Sequence, residues 1–277
     1  MKAVQSVRDQ NFDAFEIIVS DDGSTDDTRS RVEALGDKRV KYVFQNNTGV
    51  SAARNLGAAH ASGQYLIFLD SDDLLSPHYL KRFYEEISKH ACKLVFGYAD
   101  YINTAGVAFV HVSPRKENGG GPPLAGAYAI ARTFYEETKG YDPQLHYSEN
   151  TEFFLRIRLH HPVKVEEIGI VEDEGVIVHF RDKRERFNMY SEKKYKSTGY
   201  LLEKHRDYFR TAVGDFVNYK TIYAVGAFMQ GDVGEARKSI GEVIARKPLR
   251  FKAYLQALLF WLPALGRLYW KNARQAN

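Results

Sequence analysis

Apolar and polar residues along this chain come in blocks. The β-branched run EIIVS (16–20) ends in the turn-forming DDGST, and VKYVF (40–44), YLIFLD (65–70) and KLVFGYAD (93–100) are further runs of the same kind. Each reads as a strand. Between them, Asp26 and Asp27 open a polar amphipathic helix that stops near Gly36, and NNTGVSAARNLGAAHASG (46–63) is a loop feeding a helix of small residues. Ser76 and Pro77 offer cap and first-turn residues for a third helix. Strands nearly continuous in apolar residues, alternating with helices, predict an α/β fold with a mainly parallel sheet covered on both faces. Ligands of such sheets bind beyond the carboxyl ends of the strands. Two acidic clusters stand at such ends, Asp21/Asp22 and Asp70/Asp72/Asp73.

From about 101 to 180 the pattern is mixed. NGGGPPL (118–124) is a flexible loop by composition, able to close over a ligand, and GAYAIAR is a strand. SENTEFFLRIRLHH (148–161) is helical, with Phe153, Phe154, Ile157 and His161 on one side, and VKVEEIGIVEDEGVIVHF predicts two short strands around a turn. After about 186 the chain becomes helical and basic, including the amphipathic GDVGEARKSIGEVIARKP. The expected division is an α/β domain over 1–185 and a helical, basic region over 186–277.

Composition narrows the setting. With 277 residues, 44% of them hydrophobic and 27% charged, the chain has enough apolar material for a real core. Its lone cysteine, Cys92, allows no internal disulfide and no cysteine metal cluster, which fits a reducing compartment. MKAVQSVRDQNF has neither a long apolar region nor a cleavage pattern, so the expected location is the cytoplasm. Near the other end FKAYLQALLFWLPALGRLYW is apolar, but Lys252, Gln256, Pro263 and Arg267 interrupt it, whereas a spanning helix wants ~20 predominantly apolar residues. From Arg246 to Asn277 there are seven basic residues and no Asp or Glu. That balance fits an interfacial helix holding the protein peripherally on the cytoplasmic membrane, with a helix buried against the rest of the protein as the alternative. No nucleic-acid-binding motif accompanies the charge.

The acidic clusters carry the candidate chemistry. In DSDD (70–73) mutual repulsion calls for a cation, and hard ions such as Mg²⁺ or Mn²⁺ take one or two carboxylates plus water and substrate phosphates. Asp72 is the candidate ligand, with Asp70 or Asp73 supporting it or contacting a ribose. The plainer reading is a helix cap beside solvated carboxylates. Asp21 can accept the imide N–H of a uracil or contact a ribose, or simply close an Asx-turn with Gly23 at positive φ. Arg54 can face a phosphate or the surface, and Asn55 can brace a loop.

Together QSVRDQNFDAFEIIVSDDGSTDDT, NTGVSAARNLGAAHASGQYLIFLDSDD and GYDPQLHYSENTEFFLRI, spread over roughly residues 3–160, resemble the family 2 glycosyltransferases of GT-A fold in order and spacing. The resemblance implies transfer of a sugar from a nucleotide diphosphate donor, usually a UDP-sugar, to a glycan or lipid-linked acceptor in cell-surface polysaccharide synthesis. A divalent metal, Mg²⁺ or Mn²⁺, would sit on the diphosphate. It places Asp21 at the base, Asp70 and Ser71 beside the nucleotide and Asp72 on the metal; the residues themselves offer Asp22, Arg54 and Arg181 as further candidate nucleotide-sugar contacts. HFRDKR (179–184) adds His179 as a second metal ligand and Lys183 and Arg184 as diphosphate partners, or else is a solvated basic turn.

Two departures stand out. Family members begin with a strand before the helix that here reads KAVQSVRDQ, so the usual first strand lies outside this sequence or the sheet closes differently. Inverting members carry Glu-Asp where this chain has Glu149-Asn150, and a neutral amide accepts a proton poorly near pH 7. Glu149 is the replacement candidate for the base, with Glu152 behind it, although both also suit the first turn of a helix. Two other function classes compete. An aspartate-nucleophile phosphatase needs a carboxylate where VSDDGST has Ser20, and a non-catalytic nucleotide-sugar-binding or scaffold protein would keep the pocket without the chemistry.

Overall fold

The structure is a computed structural model that describes residues 1–89, 91–103, 105–114, 124–179, 192–262, 264–266 and 269. It divides into two compact units, Met1–Pro143 with Glu149–Phe180, and Gln144–Ser148 with Arg181–Asn277.

In the first unit the apolar blocks become strands and the amphipathic segments helices. The order is α1 (Lys2–Arg8), β1 (Ile17–Asp22), α2 (Thr28–Glu33), β2 (Val40–Gln45), α3 (Val50–His60), β3 (Tyr65–Ile67), β4 (Leu74–Leu75) and α4 (Tyr79–Lys89), then β5 (Leu94–Ile102), β6 (Ala108–Val112), β7 (Tyr128–Ala131), α5 (Arg132–Glu137), α6 (Glu149–His160) and β8 (Ile168–His179). The two longest ladders are parallel: β1 with β2, Ile17 opposite Val40 through Asp22 opposite Gln45, and β5 with β8, Leu94 opposite Ile168 through Ile102 opposite His179. Antiparallel pairings of β3 and β5 with β7, β4 with β8, and β6 with β5 complete a six-stranded sheet. One layer of core, with Phe96, Tyr128, Tyr141 and Phe153 essentially buried, joins the sheet to α6, and another, with Tyr79, Phe83 and Val95, joins it to α4.

The segment expected to form two strands around a turn is one strand, β8, which stays in register with β5 on both sides of an interruption. Phe96 faces Ile170 and Tyr98 faces Gly175, so β8 spends five steps where β5 spends two. The acidic Glu172-Asp173 pair that reads as a turn is pushed out to solvent as a bulge. Glycine makes the close approach possible: a Cβ on Gly97 would lie 2.4 Å from the Glu174 carbonyl oxygen, and one on Gly175 would lie 2.1 Å from that of Tyr98. The bulge also does the work expected of Ser76. The Glu174 carboxylate accepts from the His78 N–H at 3.2 Å, ahead of α4, and Gln10 accepts from the Leu80 N–H at 3.0 Å. Ser76 instead accepts from the Gly175 N–H through its hydroxyl, at 2.9 Å.

Glu16 ties the start of β1 to the turn before β3. One oxygen accepts from the Ser62 N–H (2.6 Å), the Ser62 hydroxyl (2.7 Å) and the Gly63 N–H (3.1 Å), and the other accepts from Lys41 (2.7 Å). Burial raises the pKa of Glu16, but Lys41 and Ser62 outweigh it and lower the value from 4.5 to about 2. A depressed carboxylate stabilises the fold fully above its unfolded pKa and loses that contribution as pH falls through the folded one. Acid titration of the wild type should therefore lose about 1–2 kcal/mol between pH 4.5 and 2 that Glu16→Gln does not lose, as read by urea melts across that window.

The second unit is helical: α7 (Glu192–Lys204), α8 (Arg206–Thr211), α9 (Val213–Met229), α10 (Val233–Arg246) and α11 (Phe251–Trp261). Asp232 caps α10 by accepting from the Glu235 N–H at 2.9 Å. Leu201, Val217, Phe228, Ile240 and Phe260 form its core.

Candidate active site

Helix α3 organises the rim of the first unit. Its small residues let it lie close to β1, where the Ser20 hydroxyl donates to the Ala53 carbonyl at 2.7 Å. The next residue, Arg54, is 8% exposed and extends between two acidic segments far apart in sequence. It donates to Asp70 Oδ1 at 2.8 Å and to Glu149 Oε1 at 3.1 Å, and its guanidinium lies 5.0 Å from the Tyr141 ring centroid. Burial opposes its charge, but Tyr141, Asp70 and Glu149 outweigh that and hold its pKa above the ordinary arginine value. The DSDD turn after β3 and the first residue of α6 are thus brought together on one cation.

Asn55 fixes the same neighbourhood. Its amide donates to the Tyr141 carbonyl at 2.8 Å and accepts from the Tyr141 N–H at 2.9 Å, with the Tyr135 hydroxyl donating to the same oxygen at 2.6 Å. It braces a loop, as expected. Tyr141 also hydrogen-bonds the buried Tyr128 hydroxyl and donates to Asn150 Oδ1 at 2.8 Å. The amide in place of a carboxylate at 150 therefore caps a buried tyrosine pair. Its Nδ2 donates to Glu149 Oε1 at 3.2 Å, so both described contacts of Glu149 fall on one oxygen.

The remaining carboxylates have different surroundings. Asp21 is buried, accepting from the Tyr42 hydroxyl at 2.5 Å and the Ser24 N–H at 2.7 Å. Burial raises its pKa, and these hydrogen bonds lower it by more. The same bond is the main reason the Tyr42 hydroxyl is pushed up to about 12. Gly23 has φ +87°, so the Asx-turn geometry is present. Asp22 accepts from Gln45 Nε2 (2.7 Å) and from the N–H groups of Thr48 and Gly49 (2.9 Å each), which lowers its pKa against the effect of burial. Its carboxylate ties the end of β1 to the loop entering α3. Glu152 is fully buried and paired with Arg156 at 3.1 Å, while Arg156 donates to the Thr138 and Gly140 carbonyls. A carboxylate sealed in this way has no path to an acceptor, so it does not serve as the reserve base.

In the acidic turn Ser71 is exposed, Asp72 partly so and Asp73 buried. Asp73 Oδ1 accepts from the His179 N–H at 3.2 Å, which sets the end of β8 beside the turn. Among the described residues no group of three or more His, Cys, Asp and Glu side chains is placed to hold a metal ion. A hard cation takes one or two carboxylates and completes its shell with water and phosphate oxygens, and the partly exposed Asp72 offers a donor of that chemical kind. Arg181, Lys183 and Arg184, and the loop 118–124 apart from Leu124, lie outside the described residues. Tyr141 and Tyr42 are the site residues that sequence reasoning missed. Only the position of Tyr141 inside GYDP hinted at it, and nothing in the sequence pairs Tyr42 with Asp21.

The sequence model described as "Glycosyl transferase family 2" matches residues 2–158. In Escherichia coli the UDP-Glc:alpha-D-GlcNAc-diphosphoundecaprenol beta-1,3-glucosyltransferase WfgD is 31% identical over 115 residues, 41% of this chain and 46% of that protein. Matches to eight such curated relatives span only 11% to 46% of the relatives' own length. The fold is similar to that of S. aureus TarS 1–349 in complex with UDP (TM-score 0.56, 17% identity, 98% of this chain and 87% of that one). It is also similar to that of GalNAc-T7 with UDP, GalNAc and Mn²⁺ (TM-score 0.59, 21% identity, 87% and 51%). Fold and motif order agree with the sequence model, which alone covers more than half of the residues, and the chain accordingly belongs to glycosyl transferase family 2.

Proposed function

We propose that the chain transfers a sugar from a nucleotide diphosphate donor, a UDP-sugar by analogy with the ligands of TarS and GalNAc-T7, to a glycan or lipid-linked acceptor of the kind named for WfgD. The observation that carries this reading is the Arg54 bridge, which sets the acidic turn and Glu149 on either side of one guanidinium. Donor binding falls to the turn, with Asp21 toward the base and Asp70 and Ser71 beside the nucleotide. Asp72, with His179, would hold Mg²⁺ or Mn²⁺, which when bound offsets negative charge on the leaving diphosphate. Glu149 Oε2 takes the acceptor hydroxyl proton while the acceptor oxygen bonds to the sugar carbon from the face opposite the diphosphate. The bond from that carbon to the diphosphate breaks, the electron pair leaves with the diphosphate, and the configuration inverts. Arg54 orients Glu149 through its other oxygen. Location in the cytoplasm belongs to the same proposal.

Thermal shift with UDP and Mn²⁺ tests the donor half. A ligand present at a hundred times its Kd adds about 2.7 kcal/mol of stability, and Asp72→Ala should erase the Mn²⁺-dependent part while the ligand-free melting temperature stays put. An unchanged Mn²⁺-dependent shift in Asp72→Ala would remove the metal role. A second reading, a nucleotide-sugar-binding scaffold without turnover, is favoured by one observation: Asn150 has no proton-accepting carboxylate and is engaged by Tyr141. Nucleotide binding with no donor hydrolysis in the wild type would select it.

A further inference from the structure

Helix α11 is apolar on two sides. One side, Ala253, Gln256 and Phe260, is buried in the core of the helical unit, where the Phe260 ring stacks on Phe228 at 4.8 Å. The other carries Phe251, Tyr254, Leu255, Leu258, Trp261 and Leu262, all exposed, with Phe251 at 82% and Trp261 at 66%. Spacings of three, four and seven residues place these side chains along one stripe of the helix. A contiguous apolar stripe of this length on a water-facing surface marks an interaction site. Arg237 of α10 lies 4.2 Å from the Trp261 ring centroid and donates to the Phe260 carbonyl, so the end of the stripe is held in place.

Charge decides the occupant. Lys247 and Lys252, both exposed, flank the start of the stripe, and the chain from Arg246 to Asn277 holds seven basic residues and no acidic one. An apolar protein partner gains nothing from so one-sided a border. An anionic lipid surface uses both features, because apolar side chains enter the acyl boundary while lysines meet the headgroups and the Trp and Tyr rings sit between. Eleven helical residues are too few to cross a bilayer, and no described helix is long and apolar enough to do so. We infer that α11 lies flat in the interface of an anionic membrane, its outer stripe down, as the docking face of this protein. The inference rests on the helical unit alone and stands whether or not the chain transfers sugar.

The chain's two tryptophans, Trp261 and Trp270, both belong to this segment, so intrinsic emission reports on it directly. The experiment mixes the full chain with vesicles of phosphatidylcholine, with and without about one-third phosphatidylglycerol, and reads co-sedimentation and emission wavelength. Expected are a blue shift and binding about tenfold or more tighter to the anionic vesicles, weakened by salt. Leu255→Ser/Leu258→Ser should lose both signals at an unchanged melting temperature, and Lys247→Glu/Lys252→Glu should lose the preference for phosphatidylglycerol. Equal binding to both vesicles, no sedimentation with either, or wild-type binding by the serine variant overturns the inference. So does sedimentation velocity that finds a dimer which the serine variant dissociates, because the stripe then belongs to a second copy.

Discussion

Gly175→Ala is expected to destabilise the first unit by about 3 kcal/mol or more, above the usual range for one added methyl group. The new Cβ would stand 2.1 Å from the Tyr98 carbonyl oxygen and 2.7 Å from its carbon. Those atoms are backbone of the paired strand and cannot rotate away. Relief requires β8 to move off β5, and with it the Ser76 hydroxyl contact to the Gly175 N–H and the Glu174 contact to the His78 N–H. For a protein of this size the melting temperature should fall by about 6–12 °C. Gly241→Ala is the control, since it lies exposed in α10 with nothing within 4 Å of the added atom. There helix propensity predicts a gain of about 0.5–1 kcal/mol. Calorimetry on both variants checks the contrast, and a Gly175→Ala protein that melts like the wild type would mean that the strands do not approach as described.

Glu149→Gln is expected to slow donor hydrolysis, with water as the acceptor, by about 10²–10⁴-fold while nucleotide binding persists. Glutamine keeps the shape of the side chain and an oxygen that can accept from Arg54, so the position of the Asp70 carboxylate should be preserved. What disappears is the oxygen able to take a proton near neutral pH. Turnover of a UDP-sugar in the presence of Mn²⁺, read beside a UDP thermal shift, separates the two effects. A variant that hydrolyses donor at the wild-type rate would acquit Glu149 of the base role. One that loses the nucleotide shift as well would show that Glu149 mainly keeps Arg54 in place.

The strands β1, β3 and β5 are legible because each is a largely apolar block closed by Asp, β2 because its β-branched and aromatic residues run into Asn46 and Asn47, and α3 because its alanines fit a close helix-on-sheet contact. The two-residue β4 is too short to carry a period. AFVHV, which forms β6, is paired along one edge yet largely exposed, so its apolar residues do not advertise a buried face. The bulge in β8 was misread because Glu172-Asp173 looks like a turn, and only the partner strand shows that the chain continues in the same direction. At the site the identity of the acidic groups was readable, but their employment was not. Asp22 is taken by backbone N–H groups 26 and 27 residues away, an arrangement that no local pattern encodes. Glu152 is different: its spacing of four from Arg156 is a visible helical ion pair, and that signal was available to argue against it as a base. The Arg54 bridge spans 95 residues to Glu149 and exists only in the folded chain.

Two consecutive side chains on α3 hold opposite ends of the same apparatus: Arg54 grips Asp70 and Glu149, and Asn55 grips the backbone of Tyr141, whose hydroxyl reaches Asn150. The helix could act as a lever whose fulcrum is its contact with β1, where a Cβ on Gly57 would meet Ser20 at 3.5 Å, an ordinary contact, so that only a side chain larger than alanine would press on the strand. Bulk introduced at that fulcrum would tilt the lever and carry its whole load together. The protein would then stay folded while its chemistry drifted out of alignment, at a position that touches no substrate.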